Sequence, residues 1–217
     1  MHGPFGVSIQ SMSSRSHGSR WLKEHSSDPY VKLARQGGFR SRAVFKLIEI
    51  NAREQILKPG MTVIDLGAAP GGWSQVAAAA VGPHGRVIAV DVLPMIPLKQ
   101  VIFIKGDVCE EAVVRSLLDI LNNKMADLVL SDMVPNISGT KVRDQAQIMR
   151  LAERVVECAI QVLRPGGSLL VKVFQGEGIE TYLKQLSGLF QKVYTCKPGA
   201  SRGRSAEIYV IAHSYGV

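Results

Sequence analysis

From residue 60 onward the chain alternates short apolar runs with longer amphipathic stretches. Runs rich in Val, Ile and Leu occupy 62–66, 86–90, 101–104, 126–130, 168–174, 193–196 and 207–212. Their length and β-branched content predict strands buried on both faces. Between them, apolar residues at three- and four-residue spacing predict helices near 72–80, 110–122, 144–163 and 177–190. Strands alternating with helices build a parallel sheet covered on both faces. The segment 197–206 is too short for a helical crossover, so the last two strands are expected to form an antiparallel hairpin at one edge. The expected fold class is therefore α/β: a Rossmann-like, seven-stranded, mostly parallel sheet with a reversed edge hairpin.

Before residue 60 the pattern is different. Residues 20–51 read as helical pieces broken at Asp28-Pro29 and Gly37-Gly38. Val44, Leu47 and Ile48 recur at helical spacing, with Ser41 expected as the N-cap. Lys58-Pro59-Gly60 marks a turn. Residues 1–18 are Ser/Gly-rich, with Arg15 as the one charged group besides histidines, and lack the apolar core of a secretory signal. They are expected to be a disordered leader, although a short acid-poor stretch also resembles a transit peptide. The expected organisation is a leader over 1–18, a basic helical extension over 19–59 and one catalytic-sized domain over 60–217.

Charge sharpens this division. Residues 1–60 hold ten Lys/Arg against four Asp/Glu, so six of the eight net positive charges lie in the first quarter. A local basic surface on a balanced domain suggests a polyanionic partner, though a solvated basic face has the same composition. Three scattered cysteines, Cys109, Cys158 and Cys196, have neither metal-ligand spacing nor an even count, which fits a reducing compartment. No apolar run approaches the roughly 20 residues needed to span a bilayer. A monomer in the cytoplasm is expected, or in a mitochondrion if the chain is eukaryotic, without a metal ion or a membrane partner.

Candidate chemistry gathers where strands end. Asp65-Leu-Gly-Ala-Ala-Pro-Gly-Gly-Trp73 follows the first strand and opens a helix. Gly67, Gly71 and Gly72 do not have the G-x-G-x-x-G spacing that grips a dinucleotide pyrophosphate. A reversed terminal hairpin also fits the methyltransferase variant of this architecture better than a plain dinucleotide fold. Asp91, Asp107 and Asp132 then close the next three strands, Asp91 suited to ribose hydroxyls and Asp107 to an adenine amino group. Any one of them is explained by the preference of Asp for turns. Four strand-terminal carboxylates in succession, counting Asp65, point to a nucleoside cofactor. Lys172 lies inside an otherwise apolar strand, and Lys46 sits beside Phe45 and Leu47; a lysine so placed needs a partner, a purpose or a route to solvent.

Four strings carry a resemblance: Asp65 to Ser74, Ser131-Asp-Met-Val-Pro-Asn136, Val171-Lys-Val-Phe-Gln-Gly-Glu177 and Ser201-Arg-Gly-Arg-Ser-Ala-Glu-Ile-Tyr209. Together they make the chain similar to the FtsJ/RrmJ family of 2′-O-ribose methyltransferases, over residues 19–213. Arg20-Trp-Leu-Lys-Glu-His25 and Ser41-Arg-Ala-Val-Phe-Lys46 resemble the branch that acts on a uridine of bacterial large-subunit (23S) ribosomal RNA. Val134 stands where that family commonly has alanine.

The resemblance implies S-adenosylmethionine as cofactor and a Lys-Asp-Lys-Glu tetrad falling on Lys46, Asp132, Lys172 and Glu207. It also implies cofactor contacts at Gly71, Trp73, Asp91, Asp107 and Asp132, to which the strand-end pattern adds Asp65 and Gly67. Lys172 can act as a base only when neutral. Burial and the like charge of Lys46 favour that form, whereas Asp132 and Glu207 oppose it. Expected RNA contacts are Arg20, Lys23, Lys32, Arg35, Arg40 and Arg42, with Arg202 and Arg204 from the last hairpin; a solvated loop is the alternative for that pair. The same chemistry on tRNA or organellar ribosomal RNA stays open, as does a non-catalytic ribosome assembly factor, which an intact tetrad disfavours.

Overall fold

The computed structural model describes residues 28–217. The leader over 1–18 and the residues Arg20, Trp21, Lys23 and His25 lie outside the described part.

Asp28 caps the first described helix, α1 (Pro29–Gln36), by accepting from the Tyr30 amide at 3.0 Å, with Pro29 at the position where a missing N–H costs nothing. Helix α2 (Val44–Glu54) begins two residues later than Ser41 would place it: Ala43 is the N-cap and no side chain caps it. Ser41 is instead pressed against the next helix, where a Cβ on Gly72 would come within 2.5 Å of its Oγ.

The remaining elements follow the predicted alternation: β1 (Thr62–Leu66), α3 (Gly72–Val81), β2 (Arg86–Asp91), β3 (Val101–Lys105), α4 (Glu111–Leu121), β4 (Ala126–Ser131), α5 (Lys141–Val162), β5 (Leu163–Phe174), α6 (Ile179–Ser187), β6 (Phe190–Cys196) and β7 (Glu207–Tyr215). They form one seven-stranded sheet in the order β3-β2-β1-β4-β5-β7-β6. All neighbours up to β5 are parallel, and β7 runs antiparallel to both β5 and β6. The hairpin is as expected, but its second strand is not at the edge. β7 slots between β5 and β6.

β5 starts five residues earlier than its apolar run. Arg164-Pro-Gly-Gly167 reads as a turn, yet it stays alongside β4 through an irregular register between Ala126 and Leu128. A Cβ on Gly167 would meet the Asp127 carbonyl at 3.3 Å, so glycine permits the approach. Asp127 then stitches three strands by accepting from Thr62 N–H and Arg164 Nε, each at 2.7 Å.

Two cores sandwich the sheet. On one face α4, α5 and α6 bring Leu117, Val155 and Tyr182 against Ile64, Val129 and Val171. On the other, α2 and α3 bring Leu47, Ile50 and Trp73 against Leu128, Leu170 and Tyr209. Helix α2 was expected to belong to an extension ending at residue 59, but its apolar side is continuous with the core of the following domain. Strand order reverses between β1 and β4, and in such sheets the crevice at the carboxyl ends of the strands is where ligands bind.

Candidate active site

A cleft of about 630 Å³ opens at that reversal. Gly67, Asp91, Asp107 and Asp132 line it, each from the end of a different strand or the loop behind it. Gly67 has φ +75°, and a Cβ there would come within 2.1 Å of the Met133 side chain, so glycine is required on two counts. Asp91 is held by two amides, those of Ala69 and Leu93, each at 2.8 Å. Asp107 accepts from the Cys109 amide at 2.9 Å. Both carboxylates are therefore pre-oriented at the cleft wall.

Asp65 and Trp73 play different parts from those four. Asp65 is 1% exposed and accepts the Ser74 hydroxyl at 2.6 Å, behind the loop rather than on its surface. Burial, helped by the charges of Asp132 and Asp91 and opposed by the Ser74 hydroxyl, pushes its pKa up to about 7. The Trp73 side chain is buried too, its indole N–H donating to the Ala43 carbonyl at 2.8 Å and its ring 5.8 Å from Tyr209. Gly71 takes φ +104°, and a Cβ would lie 2.9 Å from an Arg40 nitrogen and 2.8 Å from the Met95 sulfur.

Beside the cleft, four elements bring the tetrad together. Lys172 Nζ lies 2.9 Å from Asp132 Oδ1 and donates to the Asp132 carbonyl at 2.5 Å. Lys46 Nζ lies 2.7 Å from Glu207 Oε1. Lys46, Lys172 and Glu207 are all less than a tenth exposed. Such ions persist in a protein interior only when paired and hydrogen-bonded. Burial alone would raise the Glu207 pKa, but hydrogen bonding and charge from Lys46, with Ser201 and Lys172, hold it below the usual carboxylate range.

Tyr209 is the member that the sequence did not reveal. It sits opposite Lys172 in the β5–β7 register, donates its hydroxyl to Asp132 Oδ1 at 2.7 Å, and lies under Lys46 with Nζ 5.8 Å from the ring. Burial, reinforced by Asp132 and Glu207, raises its pKa well above 10.0, so the hydroxyl stays a donor. An aromatic residue two positions after Glu207 on the same strand face was the available signal.

A smaller cavity of about 240 Å³ touches Arg42, Lys46, Arg202 and Glu207, and so reaches outward from the tetrad. A wider one of about 500 Å³ adds Asp28, Tyr30 and Arg204. Here the candidate RNA contacts separate. Arg42 pairs with Asp28 and donates to the Ala200 carbonyl, while Arg202 lies 3.7 Å from the same Asp28 oxygen. Lys32 and Arg35 are exposed on α1. Arg40 donates to three main-chain carbonyls, those of Pro70, Ile96 and Pro97, at 3.1, 2.6 and 3.0 Å. Among the described residues no three His, Cys, Asp or Glu cluster as a metal site would, and no helix is long and apolar enough to cross a membrane.

Comparison with known proteins agrees with this geometry. The profile of the FtsJ-like methyltransferase family matches residues 39–215. Ribosomal RNA large subunit methyltransferase E of Alkalilimnicola ehrlichii is 54% identical over 198 residues, covering 91% of this chain and 95% of the relative. The protein of the same name from Pseudomonas aeruginosa is 52% identical, covering 90% of this chain and 95% of the relative. Among solved structures, a candidate ribosomal RNA methyltransferase from Plasmodium falciparum superposes with a TM-score of 0.76 at 30% identity, covering 82% of this chain and 98% of that one. Human methyltransferase-like protein 13, solved with S-adenosylhomocysteine, shares the fold at a TM-score of 0.55 and 13% identity, with 80% of each chain covered. A glycine-turned cleft ringed by strand-end carboxylates, a sheet with a reversed last strand, and a family match over most of the length make the chain an enzyme of the FtsJ-like methyltransferase family.

Proposed function

We propose that the chain transfers a methyl group from S-adenosylmethionine to the 2′-hydroxyl of a uridine in 23S ribosomal RNA, on the assembled or assembling large subunit. The observation that carries this reading is the buried Lys172–Asp132 pair at the edge of the cleft, with Lys46–Glu207 beside it. The names of the relatives support the RNA target.

The cleft suits the cofactor. It has the volume of a small-molecule site and two fixed carboxylates spaced along consecutive strand ends, and the Gly67 turn leaves room for close approach. When bound, S-adenosylmethionine supplies an electrophilic methyl group on a sulfonium. Asp91 would accept from ribose hydroxyls and Asp107 from the adenine amino group, each keeping lone pairs beyond those its amide partners use. Asp65, through Ser74, braces the loop from behind.

Lys172, in its neutral form, would take the proton of the 2′-hydroxyl as that oxygen bonds to the methyl carbon and the carbon–sulfur bond breaks, leaving S-adenosylhomocysteine. Asp132 and Tyr209 fix the position of Nζ and, after transfer, Asp132 balances the new ammonium charge. Lys46, anchored by Glu207 and lying over the Tyr209 ring, orients the ribose. Holding oxygen, methyl and sulfur in line supplies much of the acceleration.

Arg42, Arg202 and Arg204 flank the path from the tetrad to the surface, and Lys32 and Arg35 are exposed on α1; Arg20 and Lys23, further RNA contacts in this reading, lie outside the described residues. Phosphate contacts of this kind position RNA without reading bases. A presented shape is then the main source of selectivity, and a large subunit should be a far better substrate than a stem-loop of the same sequence. Mapping ribose methylation in a strain lacking the gene, and comparing purified subunits, naked RNA and a stem-loop at matched salt, tests both halves. Loss of one uridine methyl and a strong preference for subunits are expected. An unchanged map would refute the RNA target, and equal use of the stem-loop would refute shape selection.

A further inference from the structure

Arg40 belongs by position and charge to the basic extension, yet its surroundings are those of an internal strut. Its guanidinium meets the carbonyls of Pro70, Ile96 and Pro97, and its own amide donates to Gln75 Oε1 at 2.9 Å. Gln75 also donates to the Gly38 carbonyl at 3.1 Å, so α3 grips the chain on both sides of Phe39. The cofactor loop has made way for this side chain: Gly71, at φ +104°, leaves an Arg40 nitrogen where a Cβ would come within 2.9 Å.

The two segments Arg40 ties together are those that hold Asp91. Pro70 follows Ala69, whose amide binds one Asp91 oxygen, and Ile96 closes the short loop begun by Leu93, whose amide binds the other. Ala69, Asp91 and Leu93 all line the 630 Å³ cleft. Three of the five guanidinium N–H donors, both on Nη1 and one on Nη2, are engaged by carbonyls, so a bidentate phosphate contact through Nη1 and Nη2 would have to displace some of them.

We infer that Arg40 is a positioning residue for the adenosine end of the cofactor cleft, acting through the 69–71 and 93–97 segments, and not an RNA phosphate contact. This rests on the reading of that cleft as the S-adenosylmethionine site. An Arg at a carbonyl-bridging site is poorly replaced by Lys, whereas at a plain phosphate contact Lys serves nearly as well.

The experiment uses the full chain with Arg40→Met and Arg40→Lys. Calorimetry with S-adenosylhomocysteine, without RNA, reads cofactor affinity; RNA binding over a range of salt reads phosphate contacts. Both variants should weaken cofactor binding by about tenfold, raise KM for S-adenosylmethionine more than they lower kcat, and keep the wild-type salt slope. Unchanged cofactor affinity in either folded variant overturns the inference. So does a log–log slope that falls by about one unit in Arg40→Met, the signature of one lost phosphate contact. If Arg40→Met does not fold, Arg40→Lys decides by the same two readouts. Absence of S-adenosylhomocysteine binding by the wild-type protein instead refutes the cleft reading, and this inference with it.

Discussion

The same face of strands β5, β7 and β6 carries a polar cluster at each end, buried at one and half-buried at the other, and the two ends are built differently. At the carboxyl end of β5, Lys172, Tyr209, Asp132, Lys46 and Glu207 place two cations and two carboxylates within one contact network. At the opposite end, Ser168 Oγ lies 3.0 Å from His213 Nδ1, His213 Nε2 lies 3.2 Å from the Tyr194 hydroxyl, and that hydroxyl donates to Glu54. The second cluster is a chain of neutral groups ending on one carboxylate. Burial and the nearby Lys192 lower the His213 pKa, and burial with Glu54 raises that of Tyr194 to about 12, so both stay neutral near pH 7. Each group there satisfies the next, which is what a structural network needs. At the other end charge is concentrated beside two clefts, where a substrate can meet it. A polar network alone does not mark a site; concentrated charge facing open space does.

The comparison breaks first at Lys172. Lys172→Ala should lower single-turnover methylation by at least about a hundredfold while leaving S-adenosylhomocysteine affinity near wild type. Near-normal turnover would make the Lys172 end as structural as the Ser168 end. Next, Asp91→Ala should weaken cofactor binding by about tenfold or more, since charge-assisted hydrogen bonds contribute ~1.5–3 kcal/mol each. Unchanged calorimetric affinity in the folded variant would remove Asp91 from the site.

Asp65 gives a pH-dependent effect of a few degrees. Its raised pKa means that the folded protein keeps the proton to about pH 7, whereas the unfolded chain releases it near 3.8. The folded state therefore binds more protons in that window, and its stability falls as pH rises from about 4 to 7. Asp65→Asn keeps an acceptor for Ser74 and removes the decline, so its melting temperature without cofactor should gain on wild type over that interval. A gap that is constant with pH would contradict this. The smallest effect belongs to the far cluster: Tyr194→Phe should cost about 1–2 kcal/mol in denaturant unfolding, through lost partners of Glu54 and His213, with methylation rate unchanged. A tenfold loss of activity would show that the two ends are coupled.

Most of the fold was legible in the sequence. Strands β1, β2 and β4 are short β-branched runs with both faces buried, and β3 carries the same kind of run although, at the sheet edge, it is only partly covered; such runs are distinctive whatever packs on them. Three boundaries were not. Ser41 has the chemistry of an N-cap but is drawn to Gly72; Arg164-Pro-Gly-Gly167 has the composition of a turn but bulges within β5 alongside β4; α2 lies in the basic first quarter but shares a core with Trp73 and Tyr209. In each, a partner distant in sequence outweighs the local preference.

The site divides in the same way. Asp91, Asp107 and Asp132 were legible because a parallel sheet gathers its strand ends at one edge, which is a rule of chain direction. Glu207 was reached only through the family resemblance and Tyr209 not at all, because β7 is reversed and inserted between β5 and β6, so the beginning of a strand meets the ends of the others. Their roles follow from register: Glu207 opposite Phe174 and Tyr209 opposite Lys172.

The sequence by itself determined which residue types were available: four strand-end acids, two lysines in apolar surroundings, a glycine turn and a basic first quarter. Tertiary structure decided which of them act as charges. Arg40, Arg42 and Arg202 look equivalent along the chain, but Arg40 is locked onto three carbonyls while Arg42 and Arg202 share the one carboxylate of Asp28. Composition counts each as one positive charge. What a cation can still bind depends on the acceptors that folding has already brought to it, and those come from segments up to 158 residues away.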